Sequence, residues 1–360
     1  MSKPLAGIRI VEMAGIGPGP HASMMLSDLG AEVVRVVRPT APEAEYTMTT
    51  HTLRGRTTVL ADLKDPDALE GVRQLLDSAD VVVEGFRPGV MERLGVGPEE
   101  SLARNPRLVF ARMTGWGQEG PLAEAAGHDI NYISLTGALH AIGPADHPVP
   151  PANLVGDFGG GSMFLVVGVL AALFERERTG RGQVVDAAMV DGAGVLVQSL
   201  LELRRIGMWT DERQSNLLDG AAPFYRTYRC SDGRFMAVGA IEPQFYALLL
   251  EGLELDPAGL PDQNDQSRWE EVAEVFAEVF ERHPREYWTK VFEGTDACVS
   301  PVLTFEEAPD HPHVAARGSL VRRDGSVVAA TAPRLSAAGA TPTPDGGVQE
   351  LAAVADAWSR

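Results

Sequence analysis

The strongest constraint on this chain is an alternation of short apolar runs and helix-length segments across its first third. Ile8 to Met13 is one such run, followed by the turn-rich Gly15-Ile16-Gly17-Pro18-Gly19-Pro20. A helical stretch from His21 to Leu29 leads to a second run, Glu32 to Val37. After a loop containing Pro39 and Pro42 comes Thr57-Thr58-Val59-Leu60. Asp65 to Ser78 then carries Leu69, Val72, Leu75 and Leu76 at helical spacing. Ala79 to Glu84 and Leu108 to Met113 supply two further strands. Strand, helix and strand repeated in this way predict an α/β fold with a mainly parallel, helix-covered sheet, hence a Rossmann-like large domain.

The middle of the chain predicts a long apolar helix from about Gly159 to Glu177, a strand at Gln183 to Asp186, and a second long helix to about Ile206. The most apolar block, Met163 to Phe174, is too short to cross a bilayer. After Gly207 the texture changes. Phe224 to Gly239 reads as an antiparallel hairpin turning at Asp232-Gly233. Glu242 to Leu253, Trp269 to Phe280 and Arg285 to Phe292 read as amphipathic helices. The expected division is a large domain over 1–214, a smaller α+β domain over 215–315, and a return to the large domain over 316–360. Ala337 to Gly347 is rich in Pro, Ala and Gly and reads as a loop.

A net charge of −19 opposes a nucleic-acid partner, which requires a basic face. Local arginines can still bind an anion within a globally acidic chain. Two cysteines, Cys230 and Cys298, make no disulfide framework, and no Cys/His spacing suggests zinc, so no metal is expected. The N-terminal residues read straight into a strand with no signal-like apolar block. The chain ends Trp358-Ser359-Arg360 without a peroxisomal tripeptide. The expected place is cytoplasmic, away from membranes.

The glycine loop invites a dinucleotide reading, but Pro20 stands where the third fingerprint glycine belongs. The second strand ends in Arg38, where NAD proteins place a ribose-binding acid. A tight strand-to-helix turn remains. Arg38, closing a parallel strand, lies where ligands collect, and its planar fork suits a phosphate. Arg87 and Arg93 follow another predicted strand. Three arginines near one sheet edge fit a ligand with several phosphates, although each alone reads equally as a surface residue.

Several motifs in order carry a family resemblance. Ala126-Gly127-His128-Asp129-Ile130-Asn131-Tyr132-Ile133, Asn153-Leu154-Val155-Gly156-Asp157-Phe158-Gly159-Gly160-Gly161 and Gly239-Ala240-Ile241-Glu242-Pro243-Gln244-Phe245-Tyr246 resemble the α-methylacyl-CoA racemases. These belong to the family III CoA-transferase superfamily, and the likeness is greatest to the bacterial racemases. It spans essentially the whole chain, including Ala61-Asp62-Leu63-Lys64, Arg112 to Gly117 and Ala332 to Ser336. The transferases of the superfamily use an aspartate at the Asp157 motif as a nucleophile. They usually carry another residue where this chain has His128, and a glycine-rich loop where it has Gly239 to Pro243.

Inverting a carbon that bears one hydrogen requires an acid/base group on each face, each with a pKa near working pH. The resemblance implies that His128 takes the proton from the S substrate and Asp157 from the R substrate. The same resemblance implies that Glu242 holds the imidazole, from the partner subunit of an interlocked homodimer. The N–H of Asp129, at an expected helix start, is the candidate donor to the enolate oxygen. The implied CoA site is Ile16, Arg38, Ala61, Asp62, Leu63, Lys64, Gly85, Phe86, Arg87, Arg93, Gly127, Ile130, Asn131 and Tyr132. Met13, Ile16, Met113 and Met189 are candidates for a pliable acyl surface, though methionine equally serves as core filling. CoA is part of the substrate, no further cofactor is implied, and the substrate class points to fatty-acid and lipid metabolism. From local sequence alone, Asp157 and Asp129 read as helix N-caps, His128 as a loop histidine and Glu242 as a first-turn acid. A transferase using Asp157 as nucleophile and a non-catalytic acyl-CoA-binding protein remain alternatives, with a dehydrogenase well behind them.

Overall fold

The computed structural model describes residues 3–39, 51–336 and 343–360. Two compact units emerge from its contacts. One comprises Met1–Ala138, Pro151–Val197 and Ala315–Arg360, the other Leu139–Pro150 and Gln198–Val314.

The first unit is built on a parallel sheet. Its strands are β1 (Arg9–Met13), β2 (Glu32–Val37), β3 (Arg56–Leu60), β4 (Val81–Glu84), β5 (Val109–Thr114), β6 (Val184–Ala188) and, after the small unit's strands, β12 (Gly347–Gln349). The order is β12-β3-β2-β1-β4-β5-β6, and every neighbouring pair is parallel. The Val-rich sequences of β2 and β4 follow from burial on both faces, which rewards continuous β-branched runs over alternation. The chain reverses its winding between β1 and β4. Ligands of doubly wound sheets collect at such a switch point, beyond the carboxyl ends of the strands.

One face of the sheet packs on the helices Pro18–Asp28 and Met163–Thr179, through Ala22, Leu26, Leu165, Val169 and Leu173. The other packs on Pro66–Asp77 and Leu351–Ser359, where Val72, Leu75, Val354 and Trp358 meet. The acids within this core are paired. Glu12 on β1 accepts from Arg35 Nε at 3.3 Å and Arg56 Nε at 3.0 Å. Arg54 and Asp28 form a second buried pair.

Two helical expectations need correction. Helical structure begins at Leu154 rather than Gly159, as a π-helical stretch Leu154–Ser162 that runs on into Met163–Thr179. Asp157 is therefore inside a helical run and is not its N-cap. The cause is close packing around Gly156 and Gly160. The second long helix is two, Met189–Leu196 and Gln198–Arg205, parting at Val197. By length and composition the 26-residue run Leu154–Thr179 is apolar enough to cross a membrane. The buried packing of Leu165, Val169 and Leu173 on the sheet identifies it as a core helix.

In the second unit β7 (Tyr225–Arg229) and β8 (Phe235–Gly239) form the antiparallel hairpin, with Gly233 at φ 76° in its turn. β9 (Val299–Pro301) adds to β8. An aromatic core of Phe224, Tyr228, Phe276, Phe280, Trp288 and Phe292 joins these strands to Trp269–Phe280 and Arg285–Phe292. Back in the first unit, β10 (Leu320–Arg323) and β11 (Ser326–Ala329) form a short hairpin. The loop expected around Pro42 and much of the Ala337 to Gly347 segment lie outside the described residues.

Candidate active site

Two cavities open at the carboxyl edge of the parallel sheet, both within the first unit. The first, of about 450 Å³, takes its walls from the segments after β1, β4 and β5 and from Gly127, His128, Tyr132, Asp157 and Met189. The second, of about 550 Å³, lies beyond β2 and β3 and is lined by Arg38, Ala61, Asp62, Leu63, Lys64, Phe86 and Arg93. Met13 and Phe86 belong to both walls.

Asp157 enters the first cavity from the π-helical stretch, which four glycines let sink between its neighbours. A Cβ on Gly156 would meet Asp129 Oδ2 at 2.5 Å, and one on Gly160 would meet the backbone N of Ala193 at 2.6 Å. The close approach lets Asp129 Oδ2 accept from the Asp157 N–H at 2.7 Å. Asn153 Nδ2 donates to Asp157 Oδ2 at 3.1 Å. Across the cavity Gly17, at φ 68°, presents a bare backbone to the same carboxylate, 3.6 Å from where its Cβ would be. The glycine loop after β1 therefore forms a wall against Asp157.

Burial raises the Asp157 pKa above the usual carboxylate range. The Asn153 hydrogen bond opposes that rise, the Asp129 charge adds to it and His128 opposes it. Asp129 itself is buried, and its Oδ1 has no partner among the described residues. Tyr132, whose hydroxyl donates to Gly127 O at 2.5 Å, is raised by burial and by both aspartates.

His128 is the N-cap of the short helix Asp129–Leu135 and is exposed on the cavity rim. Its N–H donates to Asn131 Oδ1 at 3.0 Å, which orients the turn. Asp129 is thus the first helical residue and not the cap. Its N–H has no intrahelical acceptor.

Of the remaining residues expected at the site, Ile16, Gly85, Phe86, Arg87, Gly127 and Tyr132 line the first cavity. Ile130 and Asn131 line neither. Met13, Ile16, Met113 and Met189 all face the first cavity, with Met13 shared. Glu242 belongs to the second unit, as the exposed N-cap of Pro243–Gly252, with no capping bond from its side chain. Among the described residues, Lys64, Arg87 and Arg93 make no salt bridge, whereas Arg112 on the same edge is held by Glu84 and Glu92. Glu84 also lines the first cavity. Its two oxygens accept from Arg112 Nε at 2.8 Å and the Phe86 N–H at 2.7 Å, which fixes the Phe86 turn.

The model of CoA-transferase family III matches residues 5–346. The chain belongs to that family. The α-methylacyl-CoA racemase of Mus musculus is 48% identical over 94% of this chain and 88% of its own length. The enzyme of that name from Homo sapiens is 48% identical over 88% of this chain and 82% of its own. A crystal structure of a CAIB/BAIF family protein from Brucella suis superposes with a TM-score of 0.83 at 25% identity, covering 99% of each chain.

Within this family III chain, Asn153 is a residue to which sequence reading gave no role. Asn153 is the N-cap residue of the π-helical stretch, four positions before Asp157, and no helical periodicity in the sequence marks it. Because its hydrogen bond holds the Asp157 pKa down, Asn153→Ala is expected to raise it. The pH limb set by ionised Asp157 should move alkaline by about one unit, a typical effect of one hydrogen bond to a carboxylate. Initial rates against pH check this, and an unmoved limb contradicts it.

Proposed function

We propose that the chain is an α-methylacyl-CoA racemase that interconverts (R)- and (S)-2-methylacyl-CoA thioesters. The observation that carries the reading is His128 and Asp157 lining one cavity, with the aspartate pKa raised by burial and by a second acid. Burial and a second acid make this carboxyl a readier proton donor than an ordinary aspartate, and the imidazole supplies the other acid/base group. Each takes the α-proton from one epimer and the other returns one to the opposite face. The Asp129 N–H, at a helix start, is the donor to the enolate oxygen; such donors are worth about 3 kcal/mol of barrier. A 1,1-proton shift changes no oxidation state, so the reading calls for no metal or redox cofactor beyond the CoA of the substrate.

The phosphates and adenosine of CoA belong in the second cavity, near Arg38, Lys64 and Arg93, and the thioester in the first. The pantetheine arm then passes Met13 and Phe86, the wall that both cavities share.

The reading includes an interlocked homodimer. Supporting it, Leu135, Leu154, Val167, Phe174, Val195 and Leu196 are 46–71% exposed, more apolar surface than a lone chain comfortably shows to water. In that dimer the partner subunit's Glu242 holds the second ring nitrogen of His128. Two free cysteines suit a reducing cytoplasm, and the substrate class suits fatty-acid and lipid metabolism.

Proton NMR of a 2-methylacyl-CoA in deuterated water tests the reading. The α-hydrogen should wash out and the two epimers equalise without a second CoA acceptor. Persistence of the α-hydrogen, with CoA moving to a free acid, makes Asp157 a transferase nucleophile instead. Neither event leaves only binding.

A further inference from the structure

The π-helical stretch that carries Asp157 is locked from its far side by a pair of polar residues that touch neither cavity. Ser162 is fully buried, and its hydroxyl donates to Phe158 O at 3.0 Å. Phe158 O also accepts the Met163 N–H, the five-residue closure of a π-turn. His21 Nδ1 lies 2.9 Å from Ser162 Oγ, and its ring centroid lies 4.7 Å from that of Phe158. The single hydroxyl hydrogen of Ser162 is committed to Phe158 O, so His21 must supply the hydrogen of the other bond. This fixes the Nδ1–H tautomer. Burial, with Arg54 and Arg56 adding to it, lowers the His21 pKa and favours the neutral ring.

The connection to the site is short. Phe158 follows Asp157 directly, and His21 lies on the helix Pro18–Asp28, whose first three residues line the first cavity. A π register costs backbone order and survives only where its surroundings hold it. Glycine packing holds one side of this stretch, and the His21–Ser162–Phe158 chain holds the other.

We propose that His21 and Ser162 are positioning residues that hold the π register and so set the place of the Asp157 carboxyl. The inference rests on the racemase reading. On this account, Ser162→Ala and His21→Leu lower kcat by about tenfold to a hundredfold, the scale of an ångström-level misplacement, with little change in KM. His21→Asn, whose amide N–H can occupy the Nδ1–H position, recovers most of that loss.

The experiment measures kcat, KM and pH–rate profiles of these variants in the full-length protein. Alongside them, the Asp157 carboxyl is titrated by 13C NMR in the unliganded protein, assigned by its loss in Asp157→Asn. The expected result is a kcat loss with a shifted Asp157 titration in Ser162→Ala and His21→Leu, and a titration near the parent in His21→Asn. Unchanged kcat and titration in both disruptive variants overturn the proposal. So does a matched loss of kcat, KM and melting temperature in which His21→Asn is no better than His21→Leu, since that is merely structural. If the parent protein exchanges no α-hydrogen, the racemase reading fails, and the titration still decides whether His21 and Ser162 position Asp157.

Discussion

Asp157→Asn is expected to abolish epimer inversion, with a loss of about 10³-fold or more, while leaving one-sided exchange intact. General acid/base groups contribute about 10²- to 10⁴-fold each, and an amide cannot replace a carboxyl in either direction. The substitution is nearly isosteric. The Asp157 N–H still donates to Asp129, and an amide oxygen can still accept from Asn153, so the fold should not change. What remains is His128 on the opposite face. It can still take the α-proton of the S epimer and return a deuteron to the same face. Deuterium should therefore enter the S epimer with retention, while the R epimer stays inert.

His128→Ala gives the mirror image, with exchange confined to the R epimer. NMR combined with chiral separation of the acyl group reads both. A transferase nucleophile predicts something different, because acyl transfer forms no enolate and neither epimer exchanges, with or without Asp157. Exchange in both epimers of Asp157→Asn would mean that another base serves that face. Asp129, whose Oδ1 is buried with no partner among the described residues, is then the first to substitute.

The frame of the fold was readable because it depends on periodicity. Continuous valine runs at β2 and β4, and a helical stripe at Leu69, Val72, Leu75 and Leu76, need no distant partner to declare themselves. The hairpin at Asp232-Gly233 is legible for the same reason: a positive φ demands glycine locally. The π-helical stretch was not legible. Its geometry is dictated by Gly192, Asp129 and His21, all remote in sequence. The glycine loop illustrates a further limit. Gly15 to Pro20 was readable as a strand-to-helix turn, but nothing local says that Gly17 faces a carboxylate 140 residues away. His128, Asp157 and Glu242 read locally as a loop residue, a cap and a helix-start acid. Only motif resemblance singled them out, and the shared cavity then places the first two together.

Gly192→Ala should have the second large effect, through backbone alone. A Cβ at this position of the Met189–Leu196 helix would stand 1.9 Å from Gly160 O and 2.6 Å from Gly160 C. Gly160 in turn meets Ala193 N and Met189 O. The obstruction is backbone on both sides, so no rotamer change relieves it and the two segments must separate. Overpacking of this kind costs about 1–3 kcal/mol, and more where nothing can yield. The melting temperature should fall by several degrees. Asp157 lies three residues before Gly160 on the displaced segment, and a shift of about 1 Å there should lower kcat by about 10²-fold. Gly194→Ala is the control within the same helix. Its Cβ meets nothing within 4 Å, and replacing a helical glycine by alanine contributes about 1 kcal/mol of helix stability. That variant should melt no lower than the parent and keep its activity. If Gly192→Ala also kept both, the glycine contact would not set the position of Asp157, and the polar lock at His21 and Ser162 would have to hold the carboxyl alone.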